Sequence, residues 1–239
     1  MPSPAFEHLR RRIAALEGAV VEGAGGTASL GPLDRFLPWC GLRLGALHEI
    51  SPASPGPLRD GAALGFAAGM LGRLTMQCGK PVLWLAETAP PHAPGLAAFG
   101  LNPARLVVAL PGRAAATLWA LEEAARSTAL AAVLAEVRGM EPIAARRLHL
   151  AARTSGTTVV LLNRAAAISA AETRWRVGGL ASADAPRWRV DLVRCRGRSP
   201  DDGGVVVRWE VEWDETARGF RLVAEAGHRP AMPQDTRVA

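Results

Sequence analysis

A phosphate-binding turn needs glycines so that backbone N–H groups can converge, a lysine for the β- and γ-phosphates, and a hydroxyl for magnesium. One place in this 239-residue chain has the register for such a turn. A short strand over 46–50 runs into Ser51-Pro52-Ala53-Ser54-Pro55-Gly56-Pro57-Leu58, and a helix follows over 61–77. Gly56 stands at the second glycine, but Ser51 replaces the first, Pro57 the lysine and Leu58 the Ser/Thr. Pro52, Pro55 and Pro57 have no N–H to offer. Lys80, the only lysine, follows the helix instead of opening it. Positioned charge is nearly all of phosphoryl-transfer catalysis. The loop is therefore expected to be a degenerate nucleotide site, with no ATP hydrolysis and no cofactor.

Other chemistries have weaker signals still. His8, His48, His92, His149 and His228 show no HxxxH or HxH spacing, so they are expected on the surface or in loops, with no metal site. No GxSxG nucleophile elbow occurs. Cys40, Cys78 and Cys195 are far apart with no CxxC pair, which excludes a disulfide framework and a Cys-rich zinc site and fits a reducing cytoplasm. Cys78, at a helix end beside Gly79, reads as a reactive thiol or as a small buried apolar residue, the second being favoured.

The elements that must position these residues alternate in kind. Apolar residues make up 49% and charged ones 21%, enough for a sizeable core and against wholesale disorder. No long apolar run lacks a charge or a breaker, and residues 1–12 lead into no apolar stretch of signal-peptide type; a cytoplasmic protein is expected. The run PVLWLA at 81–86 is almost wholly apolar, as a parallel strand buried on both faces requires. Around it the pattern predicts a helix near 96–99, a strand at 105–109, a helix at 114–127, a strand at 131–136, a helix at 142–155 and a strand at 157–162. Four strand–helix–strand steps mean an α/β fold with a parallel sheet covered by helices. Residues 164–186 read as a polar, arginine-bearing loop region. Three stretches, 188–194, 205–213 and 220–224, alternate like antiparallel strands. The expected division is an N-terminal helix at 1–22, a linker and irregular apolar segment at 23–45, the α/β domain at 46–226, and a disordered tail at 227–239.

The order and spacing of these pieces resemble the RecA-type core. The anchors are LHEISPASPGPLRDGAAL, PVLWLAETA, FGLNPARLVVA, AAVLAEV and TTVVLLNR. Within that superfamily the chain is most similar to the ImuA family, SulA/RecA-like accessory proteins of inducible mutagenic DNA repair. The stretch RWRVDLVRCRG…VVVRWEVEWDE carries most of that likeness, which covers roughly residues 30–225. The resemblance implies that Glu87 matches the water-activating glutamate of a RecA-type ATPase, that Glu136 falls near the Walker B acid, and that Asn163 and Arg164 fall near the nucleotide sensor. Without the lysine and hydroxyl these acids have no positioned triphosphate to act on, and the favoured reading of Glu87 and Glu136 is as polar residues where strands leave the sheet.

Two further readings concern partners. The net charge of +6 suits an anionic partner, nucleic acid first, or solubility alone. By the resemblance, Arg164, Arg174 and Arg176 lie in or near a loop that contacts DNA in true recombinases, with Trp175 between them to stack a base of single-stranded DNA. The alternative is a solvated loop with Trp175 tucked into the core. Arg146, Arg147 and Arg153 are expected on the exposed side of their helix. Leu9, Ile13 and Leu16 lie on one side of the N-terminal helix, beside Arg10, as a partner-docking stripe. The family implies a non-catalytic adaptor acting with ImuB, RecA and an error-prone DNA polymerase III alpha-type subunit. The competing readings are a RecA-like DNA-dependent ATPase with a degenerate loop and a SulA-like division inhibitor that binds FtsZ.

Overall fold

The computed structural model describes residues 26–54, 61–165, 170–197 and 207–226. Leu9, Arg10, Ile13 and Leu16, the expected tail, and Gly56, Pro57 and Leu58 of the degenerate loop lie outside the described residues. Two short strands, β1 (Thr27–Ala28) and β2 (Leu42–Arg43), pair antiparallel around a 3-10 turn at Gly31–Phe36. Then come β3 (Leu47–Pro52), α1 (Gly61–Cys78), β4 (Val82–Leu85), α2 (Ala93–Ala98), β5 (Leu106–Ala109) and α3 (Ala114–Arg126). The chain continues with β6 (Ala132–Val137), α4 (Pro142–Ser155), β7 (Thr158–Asn163), β8 (Thr173–Leu180), β9 (Arg187–Cys195), β10 (Val207–Asp214) and β11 (Gly219–Ala226).

The main sheet has nine strands in the order β11-β10-β9-β8-β3-β7-β6-β4-β5. From β8 to β5 every neighbouring pair is parallel; β9, β10 and β11 extend the other side antiparallel. All six residues of β7 are buried, which is why TVVLLN carries no alternation. One core on the α1 side collects Phe66, Trp84, Trp175, Trp188 and Trp209, and the other, under α3 and α4, collects Leu47, Leu85, Leu121, Leu148 and Leu161. Each fully buried side chain of this size is worth about 1.5–3 kcal/mol relative to exposure.

Helix α1 is buried on nearly all sides, more than a single amphipathic stripe would provide. The reason is glycine. A Cβ at Gly72 would lie 2.7 Å from the Phe99 carbonyl oxygen, and one at Gly69 would lie 2.9 Å from the Trp213 ring. The bare helix face lets the loop after α2 and the C-terminal aromatics press onto it. Trp213 completes the contact by donating from Nε1 to the Ala98 carbonyl at 2.8 Å.

Three expectations are corrected. The polar loop expected at 164–186 contains β8, which pairs parallel with β3 and antiparallel with β9. Its Thr173, Trp175 and Val177 are buried on one side while Arg174 and Arg176 point to the other, so a half-buried strand passed for a loop. The described end of the expected linker is packed, with Ala28 and Leu30 in the core, while Leu33 and Leu42 of the irregular apolar segment lie against the core as expected. Arg43 anchors that segment by an ion pair with buried Glu172 at 3.2 Å. Finally, His48 and His149 are buried and not on the surface, and Cys78 is exposed and not packed away. No helix among the described residues is long and apolar enough to cross a membrane.

Candidate functional site

The carboxyl ends of parallel strands are where an α/β sheet presents side chains to a ligand crevice. Here that edge carries two linked polar networks. The first spans three adjacent strands. Glu49 on β3, 1% exposed, accepts from Asn163 Nδ2 of β7 at 2.7 Å and from Arg174 Nε of β8 at 2.8 Å. Asn163 Oδ1 accepts from the backbone N–H groups of Gly139 at 2.9 Å and Ala165 at 3.1 Å, tying the loop after β6 to the loop after β7. A buried carboxylate is tolerable only when so paired.

The second network lies beyond β4 and β6. Glu87 Oε1 accepts from Arg138 Nε at 2.6 Å, and its Oε2 accepts from Arg164 Nη1 at 3.2 Å. Glu136 accepts from Trp84 Nε1 at 3.2 Å, and its Oε2 faces Arg164 Nη2 at 3.7 Å without a hydrogen bond. Glu87 and Glu136 also line a cavity of about 400 Å³ between the first turns of α3 and α4, with Leu118, Leu121, Val137 and Met140 on its apolar walls. Sheet order puts this cavity where the chain turns from building one side of the sheet to building the other, beside β4 and β6.

The structure thus brings Glu87, Glu136 and Arg164 together, and it places Asn163 one strand away. Glu87 must give up a guanidinium before it can hold a metal ion or take a proton from water. Ser51 is half-buried at the end of β3, where its hydroxyl donates to the Trp175 carbonyl at 3.2 Å. Arg174 and Trp175 are not a loop pair around a stacked base. Trp175 is fully buried, its Nε1 donating to Thr173 Oγ1 at 2.7 Å and its ring against Phe66 and Trp209. Base stacking on that ring would require opening the sheet. Arg174 is engaged with Glu49, and Arg176 alone of the three is exposed. Arg146 and Arg147 are exposed on α4 as expected, and Arg153 is half-buried.

Sequence reasoning missed Glu49, Trp84 and Arg138. Glu49 had a signal: a carboxylate inside a strand otherwise buried on both faces must find buried partners. It also missed a chain of bonds behind the edge. Trp175 Nε1 donates to Thr173 Oγ1, the Thr173 hydroxyl donates to His48 Nδ1 at 2.7 Å, and His48 Nε2 donates to the Arg43 carbonyl at 2.8 Å. The carbonyl can only accept, which assigns the proton of the neutral ring to Nε2. Burial pushes the His48 pKa down to about 4.

Sequence comparison with known proteins finds a named relative. Over 216 residues the chain is 33% identical to Protein ImuA of Caulobacter vibrioides, in strain NA1000 / CB15N and equally in strain ATCC 19089 / CIP 103742 / CB 15. The match covers 81% of this chain and 86% of the relative. No family model matches the chain.

Proposed function

The chain belongs to the ImuA family, and from that premise we propose that it serves inducible error-prone DNA repair as a non-catalytic accessory protein that docks ImuB. RecA and an error-prone polymerase III alpha-type subunit are its further partners in this reading. The observation that carries the non-catalytic part is the state of the sheet edge. Both oxygens of Glu87 accept from arginines, and the Ser51 hydroxyl is spent on a backbone carbonyl. The position of the phosphate-loop lysine is held by Pro57 and that of its hydroxyl by Leu58. Protein docking is favoured over base stacking because Trp175 is inside the core and Arg174 is bound to Glu49.

The test is co-expression with tagged ImuB, followed by the same capture with RecA. Stable co-purification with ImuB that survives moderate salt supports the reading. A chain that ignores ImuB yet turns over ATP on single-stranded DNA would replace it with the motor reading.

A further inference from the structure

An amphipathic helix on a sheet turns its apolar stripe inward and polar residues outward. Helices α3 and α4 break that rule at three places. Trp119 is 68% exposed, Ile143 76% and Leu150 53%. These are not frayed ends of the core stripe. On α4 the buried residues are Ala144, Ala145, Leu148, His149 and Ala152, and Ile143 and Leu150 lie on the opposite side of the turn.

The three residues belong to one face. Arg147 of α4 bridges to Glu122 of α3 at 2.5 Å, which joins the outer edges of the two helices. Trp119 lies three residues before Glu122 and Ile143 four before Arg147, so each sits one turn from that bridge, on the cavity side. Leu118 and Ala144, their chain neighbours, line the cavity of about 400 Å³. Leu150 continues the face past the bridge. An exposed tryptophan and isoleucine beside a cavity whose apolar walls are Leu118, Leu121, Val137 and Met140, with Glu87 and Glu136 also lining it, form the arrangement that hot spots take: an aromatic anchor and a pocket for the partner's anchor.

Charge selects the occupant. Arginines outnumber carboxylates at this face: Arg113, Arg126, Arg146 and Arg147 are exposed and Arg153 is half-buried, against Glu122, Glu123 and Glu141, with Arg147 bridged to Glu122 and Arg126 to Glu123. The chain's own segment at 6–17 brings Arg10, Arg11 and Arg12 against Glu7 and Glu17, a net +1, and a second copy brings a net charge of +6. Both are like-charged with the face. We propose that the outer groove of α3 and α4 docks an acidic amphipathic helix of a protein partner, which lays its apolar stripe across Trp119, Ile143 and Leu150 and sets one large side chain into the cavity. The proposal goes beyond the repair reading and holds whichever protein supplies the helix.

The probe is a labelled amphipathic peptide of about four helical turns, with leucines on one face and glutamate and alanine on the other, and a twin with lysine in place of glutamate. Fluorescence anisotropy with the full chain is expected to show the glutamate peptide binding about tenfold or more tightly than its twin. Trp119→Glu and Ile143→Glu should each weaken it about tenfold while thermal melts stay unchanged, since both side chains are exposed. Arg146→Glu should shrink the preference for the acidic peptide. Equal binding of the two peptides, no binding, or variants that bind like wild type would each overturn the proposal. So would a wild-type dimer in sedimentation that Trp119→Glu dissociates, which assigns the face to a second copy. Peptide binding that appears only after removal of residues 1–22 would assign it to the chain's own N-terminal segment.

Discussion

His48 makes stability depend on pH in a direction and amount that follow from its surroundings. Its ring is fully buried, accepts from the Thr173 hydroxyl and donates to the Arg43 carbonyl. Burial is the main cause of the lowered pKa, from an ordinary 6.5 to about 4; the Arg43 carbonyl bond opposes the shift, and His149 and Arg43 add to it by charge. In the unfolded chain the imidazole takes its proton as pH falls through 6.5, but in the folded protein it stays neutral down to about 4. The unfolded state therefore binds more protons across that window, and stability falls as pH falls. At pH 7 almost none is lost. At pH 5 the loss is about 2 kcal/mol, and below pH 4 it levels off at about 3 kcal/mol. For a domain of this size 2 kcal/mol corresponds to a melting temperature lower by roughly 4–8 °C. The assay is urea unfolding at closely spaced pH values for wild type and His48→Gln, a variant that cannot titrate but offers an N–H to the Arg43 carbonyl. His149, also lowered to about 4 chiefly by burial, titrates in both proteins, so the difference between them reports His48 together with its charge coupling to His149. Wild type should lose about 2 kcal/mol more than His48→Gln between pH 7 and pH 5. Parallel curves would refute the reasoning.

Other outcomes rest on different parts of the fold. Arg164→Ala strips the guanidinium from buried Glu136 and from Glu87 and should cost about 3 kcal/mol in urea unfolding; adding Glu136→Gln should recover a good part, and no recovery would mean that the pairing is not the cause. Gly72→Ala should destabilise by about 2 kcal/mol despite better helix propensity, because its Cβ would meet the Phe99 carbonyl at 2.7 Å; Gly61→Ala, with nothing within 4 Å, should be near neutral in the same thermal melts. Calorimetric titration with magnesium-ATP should show no binding at micromolar concentrations, and micromolar affinity lost on Glu87→Gln would restore a nucleotide site.

The parallel half of the sheet was legible in the sequence because burial on both faces leaves a local mark. PVLWLA, AAVLAEV and the VVLL centre of TTVVLLN have almost no polar side chain, each stretch is followed or preceded by a helical period, and β4, β6 and β7 fall within PVLWLA, AAVLAEV and TTVVLLN. Strand β8 was not. Its TRWRVGGL interleaves arginines and glycines with buried residues, and only its place between β3 and β9 makes such a sequence a strand. Gly178 has room for its neighbour Ala53 only because it lacks a Cβ, which would stand 2.9 Å from that side chain. The sheet-edge pairings were equally hidden. Glu49 finds Asn163 114 residues away and Arg174 125 residues away. Periodicity reports which side of an element is buried, but not which element lies against it. Whether Arg174 meets a phosphate or a buried carboxylate, and whether Trp119 meets water or a core, depends on strand order and helix packing. Those are set by contacts between distant segments, and no local pattern in the chain records them.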